Sequence, residues 1–92
     1  MENIKDVRLA MMVGASSALT YIKKKPSADS EEVMRHVIEN VRAKGDAKLA
    51  GIAAASHAIK FKERKPSATE KEVMQDIANR SSEILTSIQP EI

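Results

Sequence analysis

The sequence predicts an all-α protein: a pseudo-twofold four-helix bundle built from two tandem αα-hairpin repeats of 40 residues. A gapless internal repeat supports this prediction. Leu9–Asn40 aligns with Leu49–Arg80, and 12 of the 32 aligned positions are identical. The apolar residues recur at spacings of three and four, the period of one helix face, and no segment shows strand signals. Two units are too few for a self-supporting solenoid, so we expect the hairpins to close on each other.

The first helix is expected over residues 4–24. Asn3 is a suitable N-cap, and Pro26 ends the helix because proline disfavours helical geometry in the residue before it. One face of the predicted helix carries its apolar residues: Ile4, Val7, Met11, Ala15, Ala18 and Ile22.

The second helix, over 28–43, completes the first repeat (about 4–43). Ser27 is its expected cap, Gly45 marks its end, and Val33, Val37 and Val41 form its apolar stripe.

The second repeat (about 44–88) is expected to hold helices over 47–64 and 68–88. Ser67 and Glu70 match the capping box at the start of the fourth helix. Pro90 ends that helix, and its buried face comprises Val73, Ile77, Ile84 and Ile88. We therefore expect residues 1–92 to form a single helical domain.

A stripe of small residues is predicted to join the first and third helices. Its members recur at every fourth position in both repeats: Ala10, Gly14 and Ala18, then Ala50, Ala54 and Ala58. Small side chains allow two helix backbones to approach more closely than usual. Alanine is also the best helix former and can occur on any face. Its recurrence in both halves favours a packing role.

The composition narrows the function classes. The chain is 42% hydrophobic and 30% charged, as in globular proteins, and its net charge of +2 does not by itself argue for nucleic-acid binding. The absence of Cys excludes disulfides and Cys-ligated zinc, and it favours an intracellular, cytoplasmic location. No apolar run is long enough to span a membrane, and the N-terminus lacks the apolar core of a signal peptide.

No catalytic motif is present, so we expect no cofactor and no enzymatic activity. Glu32 and His36 lie one turn apart and are weak candidates for metal ligands. They directly precede the buried Val33 and Val37, which predicts a solvated outward face and no metal site. His57 is expected to be a packed or half-exposed residue of the third helix rather than a functional base.

The two basic turns are the best functional candidates. Each combines an aromatic residue, a cluster of cations and the start of a helix: Tyr21, Lys23, Lys24 and Lys25 in one turn, and Phe61, Lys62, Arg64 and Lys65 in the other. Cations at a helix N-terminus can bind phosphate, and an aromatic ring can stack on a base. The same cations also stabilise a helix C-terminus, and the acidic residues that follow would repel phosphate. We therefore favour a structural role for these turns.

The sequence predicts a non-catalytic protein that acts through protein–protein contact, most simply as a homodimer. Apolar residues beyond the narrowest core stripes support self-association: Met11, Met12, Leu19, Ile22, Met34, Ile38 and Leu85. The alternative is a protein that binds nucleic acid or phosphate through Lys23–Lys25 and Lys62–Lys65. The two functions depend on whether both basic turns lie on one face, which the sequence leaves open.

Overall fold

A computed structural model describes residues 4–88 of the protein, apart from the side chains of residues 4–6, 85, 87 and 88. This range contains five helices and no strand, which confirms the all-α prediction. They are α1 (Ile4–Lys24), α2 (Ser30–Asn40), α3 (Gly45–Arg64), α4 (Glu70–Asn79) and α5 (Ser81–Ile88). The predictions made for Asn3 and Pro90 lie outside the described residues.

Both short helices begin later than predicted, because a β-turn precedes each of them. Ala28 N donates to the Lys25 carbonyl oxygen at 3.0 Å, and the equivalent bond in the second repeat is 2.9 Å. Proline at the second position favours such a turn. The turn contains Ser27 in one repeat and Ser67 in the other, so the prediction that these serines cap the helices is wrong.

The observed N-caps are Asp29 and Thr69. Asp29 Oδ1 accepts a hydrogen bond from Glu32 N at 2.8 Å. Thr69 and Glu72 form a capping box, in which Glu72 N donates to Thr69 Oγ1 at 3.1 Å and Thr69 N donates to Glu72 Oε1 at 3.3 Å. The capping box predicted at Ser67 therefore lies two residues further along the chain.

The connection between the hairpins also differs from the prediction. α2 ends at Asn40, and Val41 has an extended backbone, so the helix predicted over 28–43 is too long at both ends. Gly45 has a φ of 60°, in the left-handed region that favours glycine. This glycine begins α3 rather than ending α2, and residues 41–44 connect the two helices.

The prediction of a single helix over 68–88 is wrong, because the helix is interrupted at Arg80. This residue has φ −99° and ψ 8°, and its N–H donates to the carbonyl oxygens of Asp76 and Ile77. Its guanidinium also pairs with the Asp76 carboxylate, with 2.9 Å between Nε and Oδ1. After the break, α5 packs against α3, and Ile84 is fully buried.

The long helices α1 and α3 pack side by side and run in the same direction. Near their middle, Gly51 lies against Gly14 and Ala10, and toward their C-terminal ends Ile22 lines the same groove as Ile59. A Cβ atom at Gly14 would overlap the carbonyl group of Gly51. The two backbones therefore touch at a point where neither helix carries a side chain.

The short helices α2 and α4 cover the seam between α1 and α3 with two separate apolar clusters. Each short helix contacts both long helices. The α2 cluster contains Val33 and Val37 with Ala18, Ala55 and Ile59. The α4 cluster contains the residues at the equivalent positions of the opposite repeat: Val73, Ile77, Ala58, Ala15 and Leu19. Each short helix thus packs on its own long helix and on that of the other repeat.

Candidate functional site

The parallel packing of α1 and α3 places both basic turns at one end of the molecule. A groove of about 760 Å³ lies between them, and we call it the turn groove. Its lining includes apolar residues from both repeats: Leu19, Ile22, Pro26, Ala28, Val33, Ile59 and Pro66. Its polar and charged lining residues are Lys23, Asp29, Ser30, Lys62, Glu63 and Glu70. The acids outnumber the bases around this groove, although the whole chain carries a net charge of +2.

The first turn is tied to α2 by a cluster around Glu32. Tyr21 Oη donates a hydrogen bond to Glu32 Oε2 at 2.6 Å, and Lys25 Nζ lies 2.7 Å from the same oxygen. The bonds from Lys25 and then Tyr21 lower the pKa of Glu32 below its ordinary value. The hydrogen bond to Glu32 raises the pKa of Tyr21, and it raises the pKa of Lys25 as well. Tyr21 and Lys25, two of the predicted anion-binding residues, therefore both bond to the same carboxylate.

The second turn uses different bonds at the equivalent positions. Phe61 replaces the tyrosine and has no hydroxyl to donate. Lys65 Nζ lies 3.6 Å from Glu72, whose pKa is lowered mainly by the backbone hydrogen bond from Thr69. Lys62 Nζ donates to the carbonyl oxygens of Pro66 at 3.0 Å and Ala68 at 2.9 Å. Two of the three cations predicted to bind anions here thus support the local fold.

Three cations of the basic turns have no hydrogen-bond or ion-pair partner within the described part of the chain. They are Lys23, Lys24 and Arg64, and all three are exposed. Only Lys23 lines the turn groove, where Asp29, Glu63 and Glu70 also lie. The structure therefore brings the predicted anion-binding residues to one end but does not focus their charge on one point.

The Glu32–His36 pair is not the solvated pair that the sequence predicted. Both side chains are half-buried, because Tyr21 lies over them: its ring centroid is 4.4 Å from that of His36. Asn40 Nδ2 also lies 3.3 Å from His36 Nδ1. Among the described residues, no group of three His, Cys, Asp or Glu side chains could hold a metal ion. His57 is half-buried on α3.

The predicted small-residue stripe is buried along its whole length. The exposures of its alanines are 7% at Ala10 and 0% at the other four, and Gly14 is buried as well. The closest approach also involves Gly51, which the sequence analysis did not place in the stripe. In the 40-residue alignment, Gly51 is equivalent to Met11, which is a large residue. The alignment therefore gave no indication that Gly51 lies in the contact between α1 and α3.

The outer face of α1 is an exposed surface that sequence reasoning missed. We define this face by Leu9, Val13, Ser16 and Thr20, which recur at helical spacing on the side away from the core. Leu9 is 64% exposed and Val13 is 48% exposed. The equivalent positions of α3 are Leu49, which is 51% exposed, with Ala53, Ser56 and Lys60.

The residues predicted to provide surplus apolar surface are mostly covered within the chain. Met11 and Leu19 are buried, so their assignment to an exposed surplus is wrong. The other described members of that set are Met12, Ile22 and Met34, which are half-buried, and Ile38, which is 43% exposed. The side chain of Leu85 lies outside the described residues. Each long helix is covered by several other helices. The sequence analysis assigned only one buried stripe to each helix and did not predict this.

No helix within residues 4–88 is both long enough and apolar enough to cross a membrane. Comparison with protein-family models, curated proteins and solved structures finds no match to this chain.

Proposed function

We propose that this chain is a small non-catalytic protein that acts through protein–protein contact, as a homodimer. The supporting observation is the exposed outer face of α1. No residue from Leu9 to Ile22 is charged, and the apolar side chains of Leu9 and Val13 are exposed to solvent. Charged residues are depleted at the centre of protein interfaces, and an apolar face of this kind gains stability when another protein covers it.

The proposal includes a pseudo-twofold arrangement of the two repeats. Its support is the exchange of equivalent residues between the two apolar clusters, in which Ala15 and Leu19 contribute to one cluster and Ala55 and Ile59 to the other. In this arrangement α1, α2, α3 and α4 form the bundle, and α5 is an addition to α3. The cytoplasmic location expected from the sequence remains a prediction.

A non-catalytic role agrees with the bonding of the titratable side chains at the turns. Glu32 accepts bonds from Tyr21 and Lys25, and Glu72 completes a helix cap. These groups hold helices together and are not directed into the turn groove.

The mass of the wild-type chain in solution tests this proposal. Sedimentation velocity from about 1 to 100 μM should give a species of twice the chain mass of 10.1 kDa at the upper concentrations. A species of 10.1 kDa over the whole range would contradict the homodimer.

The alternative function is binding of nucleic acid or phosphate by the basic turns. The observation in its favour is that both turns lie at the same end of the molecule. Against it, Lys25, Lys62 and Lys65 have local partners, and three acids line the groove between the turns. We therefore place this function second.

A salt titration tests the alternative. Binding through the turns should weaken steeply as salt increases, because it depends on released counterions. Submicromolar binding of the wild-type chain to DNA or RNA at about 150 mM salt, lost in Lys23→Ala, Lys24→Ala, Lys25→Ala, would favour this alternative. We expect no such binding.

A further inference from the structure

We propose that the turn groove binds a small organic cation, which has an apolar body and one positively charged head group. The apolar body rests on Ile22, Val33 and Ile59, and the head group faces Glu63 and Glu70. This inference concerns a different surface from the outer face of α1 and does not depend on the proposed homodimer.

The first argument is that the walls of the groove are already formed. Each wall is a β-turn with a proline in the lining, Pro26 or Pro66, and each turn is closed by a backbone hydrogen bond of 3.0 or 2.9 Å. Lys62 Nζ also donates to two carbonyl oxygens of the second turn. Walls fixed in this way need little ordering when a ligand binds, which favours affinity. The volume of about 760 Å³ lies within the range of about 300–1,000 Å³ that is typical of small-molecule sites, so it favours a small molecule as the occupant.

The second argument is the apolar lining, to which both repeats contribute. Leu19 and Ile59 are equivalent residues of α1 and α3, Val33 lies on α2, and all three are buried. Ile22 lines the first wall and is only half-buried. Its equivalent in the second repeat is Lys62, whose ammonium is bonded to its own turn. The first wall therefore presents apolar surface that an apolar body can cover without removing a polar group from water.

The third argument is the charge of the second wall. The carboxylates of Glu63 and Glu70 are exposed and have no hydrogen-bond or ion-pair partner within the described part of the chain. Their equivalents in the first repeat are Lys23 and Ser30, so both unpaired acids belong to the second repeat. The third acid of the lining, Asp29, already caps α2. Two carboxylates on one wall, against one unpaired ammonium on the other, favour a single positive charge beside the second wall.

Three ligands with the same eight-carbon chain test this chemistry: octylammonium, octanol and octanoate. Methyl signals in ¹H–¹³C NMR spectra of the wild-type chain give both the affinity and the location. Octylammonium should shift the signals of Ile22, Val33 and Ile59. It should bind about fivefold more tightly than octanol, which is the effect of one exposed ion pair, and octanoate should bind more weakly than octanol.

Several outcomes of this experiment would overturn the proposal. They are octanoate binding at least as tightly as octylammonium, ligand shifts confined to other methyl groups, and no shift with octylammonium at millimolar concentration. A shift of the Ile22, Val33 and Ile59 signals when the chain is concentrated without ligand would show that a second copy covers the groove. That result would also overturn the small-molecule site.

Substitutions that transfer a residue from one repeat to the equivalent position of the other test the orientation. Glu63→Lys should weaken octylammonium binding about fivefold and leave octanol binding unchanged. Lys23→Glu is the converse change and should strengthen octylammonium binding. Glu39→Lys is the control, because it makes the same change in net charge at an exposed position of α2 outside the groove. Equal weakening by Glu39→Lys and Glu63→Lys would mean that only net charge matters, and would overturn the assigned site.

Discussion

The two basic turns have the same sequence framework but are held by different bonds. Both contain the Lys-Pro-Ser-Ala segment and the same backbone hydrogen bond across it. In the first turn, Tyr21, Lys25 and Glu32 form one polar cluster. In the second turn, Lys62 binds two carbonyl oxygens and Glu72 completes a capping box. The repeat therefore preserves backbone geometry, while each half has its own side-chain interactions.

The largest expected effect concerns the contact between the long helices. Gly14 and its repeat equivalent Ala54 lie on the same buried stripe, and a Cβ atom added at Gly14 would overlap the backbone of Gly51. Gly14→Ala should lower the free energy of unfolding by about 1–3 kcal/mol, because overpacking outweighs the better helix propensity of alanine. Urea denaturation measures this loss.

The reverse substitution at the equivalent position sharpens the comparison. Ala54→Gly should also destabilise the protein, by about 1 kcal/mol, since glycine is the poorer helix former. Stabilisation by Gly14→Ala would mean that the two backbones are further apart than the structure places them.

The next effect is the acid dependence of the first turn. Glu32 has a lowered pKa because it accepts bonds from Lys25 and Tyr21. A carboxylate with a lower pKa in the folded state stabilises the fold above its unfolded pKa of about 4.3. This stability is lost as the pH falls through the folded pKa. The unfolding free energy of Glu32→Gln should therefore change less between pH 5 and acidic pH than that of the wild type.

Glu39→Gln provides the matched control, because Glu39 is exposed on the same helix and has no bond to the first turn. Its acid dependence should follow that of the wild type. Equal acid dependence of Glu32→Gln and the wild type would show that the ionised form of Glu32 does not stabilise the fold.

A smaller effect is expected from making the first turn resemble the second. Tyr21→Phe removes the hydroxyl that donates to Glu32 and should lower the melting temperature slightly. The pKa of Tyr21 is raised by that bond, so its stabilisation is complete below the unfolded pKa of about 10 and is lost as the pH rises through the folded pKa. The variant should therefore lose less stability in alkali than the wild type does.

The opposite change in the second turn is the control. Phe61→Tyr should give no comparable gain, because Glu72 already bonds with Thr69 and Lys65. A gain as large as the loss at Tyr21 would mean that the two turns are interchangeable, which contradicts the comparison.

Local sequence signals predicted the long helices well and the short helices less well. Pro26 stops α1 at the predicted residue, because its effect is confined to its neighbours. The starts of α2 and α4 were displaced because the residues after each proline form a full β-turn first. The break at Arg80 was missed, because it involves neither proline nor glycine. It is accompanied by a long-range contact, the packing of α5 against α3 with Ile84 buried.

The packing arrangement of the helices could not be predicted from local sequence signals. Periodicity identifies the apolar face of each helix but does not say which residues a neighbouring helix will cover. Met11 was assigned to a surface surplus and is buried, whereas Leu9 was not assigned to that surplus and is exposed. The common end of the basic turns follows from the parallel direction of α1 and α3, which the repeat alone left open.

The distance between the two turns tests the central claim, that α1 and α3 run parallel and place both turns at one end. Spin labels on Ser27→Cys and Ser67→Cys would give this distance by pulsed electron paramagnetic resonance in a sample diluted with unlabelled chain. Both serines are exposed in their turns, and the chain has no other Cys. We predict a separation well below the 39 Å long dimension of the molecule. A separation near that length would place the turns at opposite ends and contradict the parallel arrangement.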